Sequence, residues 1–160
     1  MFAQVKSLHI PGVLLLALFA VSASAQQRPG YGTPVTIEQA KKIAAGVVAE
    51  CQSNKWNVAV AIVDPHGSLV YFERMEDTQT ASMDISIMKA RAAATYRRPT
   101  RAFVDAIGKT GPATVTLPGV VASPGGVPLF VGGKVIGAVG VSGVTGDQDE
   151  QCAKAGAPAM

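Results

Sequence analysis

Apolar residues recur along the chain in two rhythms, one every three to four positions and one close to every second position. Behind Thr36-Ile-Glu-Gln39, which matches a capping box, Ile37, Ala40, Ile43, Ala44, Val47, Val48 and Cys51 keep helical spacing, so a first helix is predicted to run to about Ser53. Residues 57–75, "NVAVAIVDPHGSLVYFERM", read as two strands around Asp64-Pro65-His66-Gly67, a tetrapeptide with the residue preferences of a type I turn. A helix is predicted over 82–96, with Ile85, Met88, Ala92 and Tyr96 as its buried stripe and Pro99 as its stop. Thr100 is expected to cap a short helix over 103–107 that ends at Gly108. Residues 111–126 hold a short strand among turn signals, and a second hairpin pairs 127–131 with 135–141 across Gly132-Gly133-Lys134. A last helix carries Asp147, Asp149 and Glu150 in its first turn and Lys154 near its end, with Gly156 beyond it. Helix, hairpin, helices, hairpin, helix gives an α+β domain, an antiparallel sheet flanked by α-helices.

The glycine-rich hairpin "VGGKVIGAVGVSG" does not hold a nucleotide. A Walker loop would need glycine at 128 and Ser or Thr after Lys134, where Pro128 and Val135 stand. Gly137, Gly140 and Gly143 also lie three apart in a β-branched run, unlike a dinucleotide fingerprint. Such glycines inside a strand let another backbone, a helix or a flat ligand approach closely.

The first residues combine Lys6, an apolar run from about 13 to 21, and Ala23-Ser24-Ala25, the pattern of a secretory signal peptide with an Ala-x-Ala cleavage site. The apolar run is roughly half the ~20 residues that a membrane span needs. Export to the periplasm or beyond the cell is the expectation, with residues 1–25 as leader, 26–35, "QQRPGYGTPV", as a flexible arm, and 36–160 as the folded domain. With the first 25 of the 160 residues removed, 135 remain, and loss of Lys6 lowers the formal charge from +3 to +2. That excess is too small to argue for nucleic acid. An exported chain meets an oxidising compartment, and Cys51 and Cys152 fall on the first and last helices. They are either a disulfide, which requires those helices to be neighbours, or two buried thiols.

With His9 in the leader, His66 is the only histidine of the mature chain, which excludes a multi-histidine metal site within one subunit. His66 reads as an exposed turn residue, with iron ligation near a subunit boundary as the functional alternative. Glu73, Glu76, Asp77 and Asp84 read as solvated surface, against a hard-metal or acid/base role, and Met88 as core. Lys89 stands beside the helix stripe, either as a snorkelling side chain or as a site residue. "RAAATYRRPTR" places Arg91, Arg97, Arg98 and Arg101 around Tyr96 and Thr100, a site chemistry suited to carboxylates, or else a solvated basic face. No nucleophile has a base partner, so no catalytic residue is assigned.

"VAIVDPHGSLVYFERME", "SMDISIMKARAAATYRRPT", "LPGVVASPGGVPLFVGGKVIGAVGVSG" and "GDQDEQCAKAG" together resemble the GlcG/HbpS-like haem-binding domains over almost the whole chain after Thr36. The resemblance implies a profilin-like single domain, a homo-oligomer and, in secreted members, non-covalent, exchangeable haem or a related tetrapyrrole. In those relatives a threonine of an Asn-Ala-Pro-Thr segment is implicated in holding the iron. Arg97-Arg98-Pro99-Thr100 matches that segment, so the resemblance makes Thr100 the candidate ligand; Tyr96, Lys89, Arg97, Arg98 and Arg101 join it as candidate haem-binding residues on their own chemistry. The expected role is reversible haem binding for sequestration, transfer or sensing. An enzyme acting on haem or a small oxidised metabolite, and a non-catalytic assembly module, remain as alternatives.

Overall fold

The computed structural model describes residues 28–158; the leader with Lys6, His9 and Ala23-Ser24-Ala25 lies outside the described residues. The elements are α1 (Ile37–Ser53), β1 (Ala59–Val63), β2 (Leu69–Arg74), α2 (Ser82–Tyr96), α3 (Arg101–Thr110), a 3₁₀ turn (Pro112–Thr116), β3 (Gly126–Val131), β4 (Lys134–Ser142) and α4 (Gly146–Gly156). The four strands form one antiparallel sheet in the order β2-β1-β4-β3, so the two hairpins meet along β1 and β4. The α+β architecture read from the sequence is the one observed.

The period of two sorts β1 and β4 by side-chain size. Val60 and Ile62 of β1 join Val139 and Val141 of β4 on one face, under Ala40, Ile43, Ala44 and Val47 of α1 and Ala153 of α4. Ala61, Val63 and Ala138 occupy the other face, against Ala90, Ala93 and Ala94 of α2. The second face is almost flat, and α2 lies directly on it. A Cβ at Gly140 would overlap the Ser86 carbonyl and the Ala90 amide, and one at Gly126 would overlap the Lys89 carbonyl. Gly126 and Gly140 therefore serve helix packing.

This close approach corrects the expected helix stripe. The sheet-facing side of α2 is Ser82, Ser86, Lys89, Ala90, Ala93 and Ala94, all buried, while Met88 is 50 % exposed and Ile85 and Tyr96 are half-buried. Large apolar side chains beneath α2 would lift it off the Ala/Gly face, so the small residues go inward instead.

Both predicted hairpin turns form. Asp64 accepts the Gly67 N–H at its carbonyl and the His66 and Ser68 N–H groups at Oδ1. The α1 capping box is present, with Gln39 N–H donating to Thr36 Oγ1 and Thr36 N–H to Gln39 Oε1. A second box, Thr145 with Gln148, opens α4. Four local expectations change. Helix α3 runs through Gly108 to Thr110, the strand expected within 111–126 is a 3₁₀ turn, Gly156 closes α4 from inside, and Thr100 makes no side-chain cap. The arm is also docked from Arg28 onward. Tyr31 bridges Val135 in parallel, Gly32 and Val35 donate to the Val135 and Ile136 carbonyls, and Val35 is buried. Here β4 extends beyond the end of β1, and the arm takes up the strand edge left open.

Cys51 and Cys152 form a disulfide with Cα atoms 5.7 Å apart, which decides the open alternative and fastens α1 to α4. The loop it closes spans 101 residues. Reduction is expected to lower the unfolding free energy by about 3–5 kcal/mol, read as a fall in the urea midpoint with dithiothreitol. An unchanged midpoint would mean that the bridge does not form.

Candidate functional site

The site is built at the corner between α2 and α3. Helix α2 ends when Arg97 turns into the left-handed region (φ 53°, ψ 41°), so that the Arg97 N–H returns to the Ala94 carbonyl and the Arg98 N–H to the Ala93 carbonyl. A non-glycine residue held there costs on the order of 1–3 kcal/mol. The turn sends consecutive arginines in different directions. Arg97 donates to the Pro29 carbonyl at 2.9 Å and lies 5.0 Å over the Tyr31 ring, while Arg98 lies 5.5 Å over Phe103.

The predicted basic cluster is thereby divided. Arg91 donates to the Gly67 carbonyl, joining α2 to the first hairpin. Arg101 pairs with the buried Glu150 at 2.6 Å and with the exposed Asp147, and Lys154 also reaches Glu150. Arg97 belongs to the arm, as does Tyr31, whose hydroxyl donates to the Thr95 carbonyl. Tyr96 donates its hydroxyl to the Pro118 carbonyl and stacks edge-on against Phe103, and its own carbonyl accepts Arg28 Nη1 at 3.0 Å. What remains is a cleft of about 270 Å³ lined by Arg28, Arg98, Pro99 and Ala102. Neither Arg28 nor Arg98 has a carboxylate partner among the described residues.

Two candidates are not in that cleft. Thr100 is fully buried, and its Oγ1 accepts the Gly126 N–H at 3.0 Å while its own N–H donates to the Gly126 carbonyl. It clamps α3 to the start of β3 and cannot present its hydroxyl to a ligand in this arrangement. Lys89, 1 % exposed, neither snorkels nor reaches the cleft. Its Nζ donates to Asp149 Oδ2 at 2.7 Å and to the Val141 carbonyl at 3.1 Å. Burial pushes the Asp149 carboxyl above the usual carboxylate range, against the pull of the Lys89 ammonium and of the Val144 and Gly143 N–H groups. Gly125 sits between the two, where a Cβ would press on both Asp149 and Lys89 Nζ. The pair is structural, joining helices on opposite faces of the sheet.

His66 is exposed on its turn with its ring stacked 6.5 Å from Tyr31, and no group of three or more His, Cys, Asp or Glu side chains converges on a metal position among the described residues. Glu73, Glu76 and Asp77 line a larger groove of about 520 Å³ with Lys55, Arg74 and Met75, away from the arginine corner. There Glu73 accepts the Tyr71 hydroxyl, which pushes the phenol's pKa up. Its three carboxylates stand beside two cations, Lys55 and Arg74, so it lacks the unmatched positive charge of the arginine corner. Sequence reasoning missed Arg28, Phe103, Asp149 and Glu150. The first lay in a stretch read as flexible, and the acids were read only for their place at a helix start.

Residues 35–158 match the family model described as "Haem degrading protein HbpS-like". The chain belongs to the HbpS-like family. It is 42 % identical over 105 residues to Protein GlcG of Escherichia coli K12, covering 66 % of this chain and 78 % of that one. Its fold is similar to the crystal structure of HbpS, with TM-score 0.75 and 30 % identity over 81 % of this chain and 92 % of the other. It is also similar to a PduOC:haem complex, with TM-score 0.73 and 26 % identity over 80 % of this chain and 96 % of the other.

Because the buried Thr100 hydroxyl is a hydrogen-bond acceptor, Thr100→Ala is expected to cost about 1–3 kcal/mol of stability, with Thr100→Ser recovering the hydrogen-bond part. Urea unfolding of the two variants checks this. A neutral Thr100→Ala would contradict the clamp.

Proposed function

We propose that this HbpS-like chain is an exported protein that binds haem reversibly, for sequestration, transfer or sensing. The observation that carries the reading is the α2–α3 cleft, where guanidinium groups stand without carboxylate partners beside apolar Pro99 and Ala102. The PduOC:haem relative supports the ligand class, and the disulfide suits an oxidising compartment. Among the described residues no helix is long and apolar enough to cross a membrane.

The residues fit one part of the ligand better than the other. Arginine forks match carboxylates in geometry and charge, so Arg98 suits the propionates of a porphyrin. At about 270 Å³ the cleft lies below the ~300–1,000 Å³ typical of small-molecule sites, so it holds an edge of a macrocycle and leaves the rest open. No imidazole, thiolate or thioether lines it. An edge-held ligand is an exchangeable one, which is why the reading is reversible binding. Bound haem would supply redox-active iron and Soret absorption. The chain's own groups hold the carboxylates and exclude water along one edge.

Self-association completes the reading. Met88, Val115 and Leu117 are each about half exposed, apolar surface that a second subunit would cover. A second reading, oxidative loss of haem, rests on the family description. The cleft is lined by no carboxylate, imidazole or phenol among the described residues, so proton transfer there would need groups from elsewhere.

Haemin titration followed at the Soret band is expected to saturate at a defined haem-to-subunit ratio, with Arg98→Ala weakening affinity about tenfold. Size-exclusion chromatography of the same samples reads the oligomer. Unsaturable absorbance would overturn the haem reading. Multiple-turnover haem loss with a reductant and oxygen would replace binding by turnover.

A further inference from the structure

We propose that the N-terminal arm is part of the binding site, with Arg28 and Arg98 forming a paired-guanidinium clamp for a carboxylate of the bound ligand. The inference deepens the haem reading and rests on it for the identity of that ligand.

The arm is fixed to the corner by four contacts that converge from both sides. Arg28 Nη1 donates to the Tyr96 carbonyl at 3.0 Å, Tyr31 donates to the Thr95 carbonyl at 2.8 Å, Arg97 donates to the Pro29 carbonyl at 2.9 Å, and the Arg97 guanidinium covers the Tyr31 ring. These contacts hold Arg97 against the arm, with its Nε buried and without a hydrogen-bond partner. The left-handed turn at Arg97 is what allows it to face the arm while Arg98 faces the cleft. Arg28 spends one N–H on a neutral carbonyl and so keeps its charge uncompensated, as Arg98 does over Phe103.

Arg101 gives the contrast of an arginine that is neutralised. Arg101, four residues from Arg97, is matched to Glu150 and Asp147. Two unmatched guanidinium groups lining one small cleft repel each other and are tolerated at a cost that an anion would relieve. A planar carboxylate accepts N–H groups from two arginines at once, and the apolar Pro99 and Ala102 beside them suit a ligand whose remainder is hydrophobic. That chemistry belongs both to a tetrapyrrole bearing propionates and to a small free carboxylate, and the two are separable by probe.

The test uses haemin, haemin dimethyl ester and succinate as probes on the purified wild type, Arg28→Ala, Arg28→Gln and Arg98→Ala. Affinities are read by Soret titration for the haemins and by calorimetry for succinate, with circular dichroism to confirm folding. The clamp predicts that all three variants lose about tenfold in haemin affinity and that all four proteins bind the ester equally, with the wild type binding it no better than the variants bind haemin. Arg28→Gln keeps a side-chain N–H donor, two bonds shorter than the guanidinium, but carries no charge. Full haemin affinity in Arg28→Gln, with loss in Arg28→Ala, would make Arg28 a strap only and overturn the clamp. Equal wild-type affinity for haemin and its ester would overturn it as well. If the wild type binds no haemin, the haem reading fails; succinate binding lost in all three variants would then keep the clamp for a small carboxylate, and no succinate binding would overturn both.

Discussion

The domain depends on the buried Lys89–Asp149 pair. Helix α2 lies on one face of the sheet and α4 on the other, and the two are joined through the gap where the chain enters β3 at Gly125 and β4 nears its end at Val141. Lys89 passes through that gap, with its ammonium divided between Asp149 and the Val141 carbonyl. Leaving one charge of such a pair without the other typically costs about 3–5 kcal/mol, so lysine, aspartate and the small residue between them constrain one another. The Ala/Gly face of the sheet follows from the same requirement. Only a helix in contact with the strands lets a side chain of lysine's length reach across.

The arginine corner inherits its geometry from this arrangement. Because α2 is set close to β4, its C-terminal turn falls beside the start of β3, where Thr100 and Gly126 exchange hydrogen bonds and fix the first turn of α3. Glu150, one residue beyond Asp149, is then in place to hold Arg101. Structure and site are thus divided by residue within the same short segment. Thr100 and Arg101 serve the scaffold, Arg97 serves the arm, and Arg98 lines the cleft.

The hairpins, α1, α2 and the architecture were legible because each rests on a local signal: the Thr36–Gln39 box, the Asp64–Gly67 turn, the Gly132-Gly133 turn. The inward face of α2 was not. Helical periodicity favours Ile85 and Met88, and only the sheet beneath, with Ala61, Ala138 and Gly140, turns the small residues inward. The arginine cluster was legible as composition but not as geometry, since partners 46 and 49 residues away take Arg101. The arm's Gly and Pro content resembles a flexible tail, and its order comes from the open edge of β4. Thr100 was assigned by resemblance, and its burial depends on a contact 26 residues distant that no local pattern announces.

The most direct measurement is a crystal structure of the protein with haemin bound. The expected density places a propionate within hydrogen-bonding distance of Arg98 and Arg28, with the Thr100–Gly126 and Lys89–Asp149 contacts still closed. Haemin bound instead along the Glu73–Asp77 groove, or iron held by a Thr100 hydroxyl freed from Gly126, would contradict it.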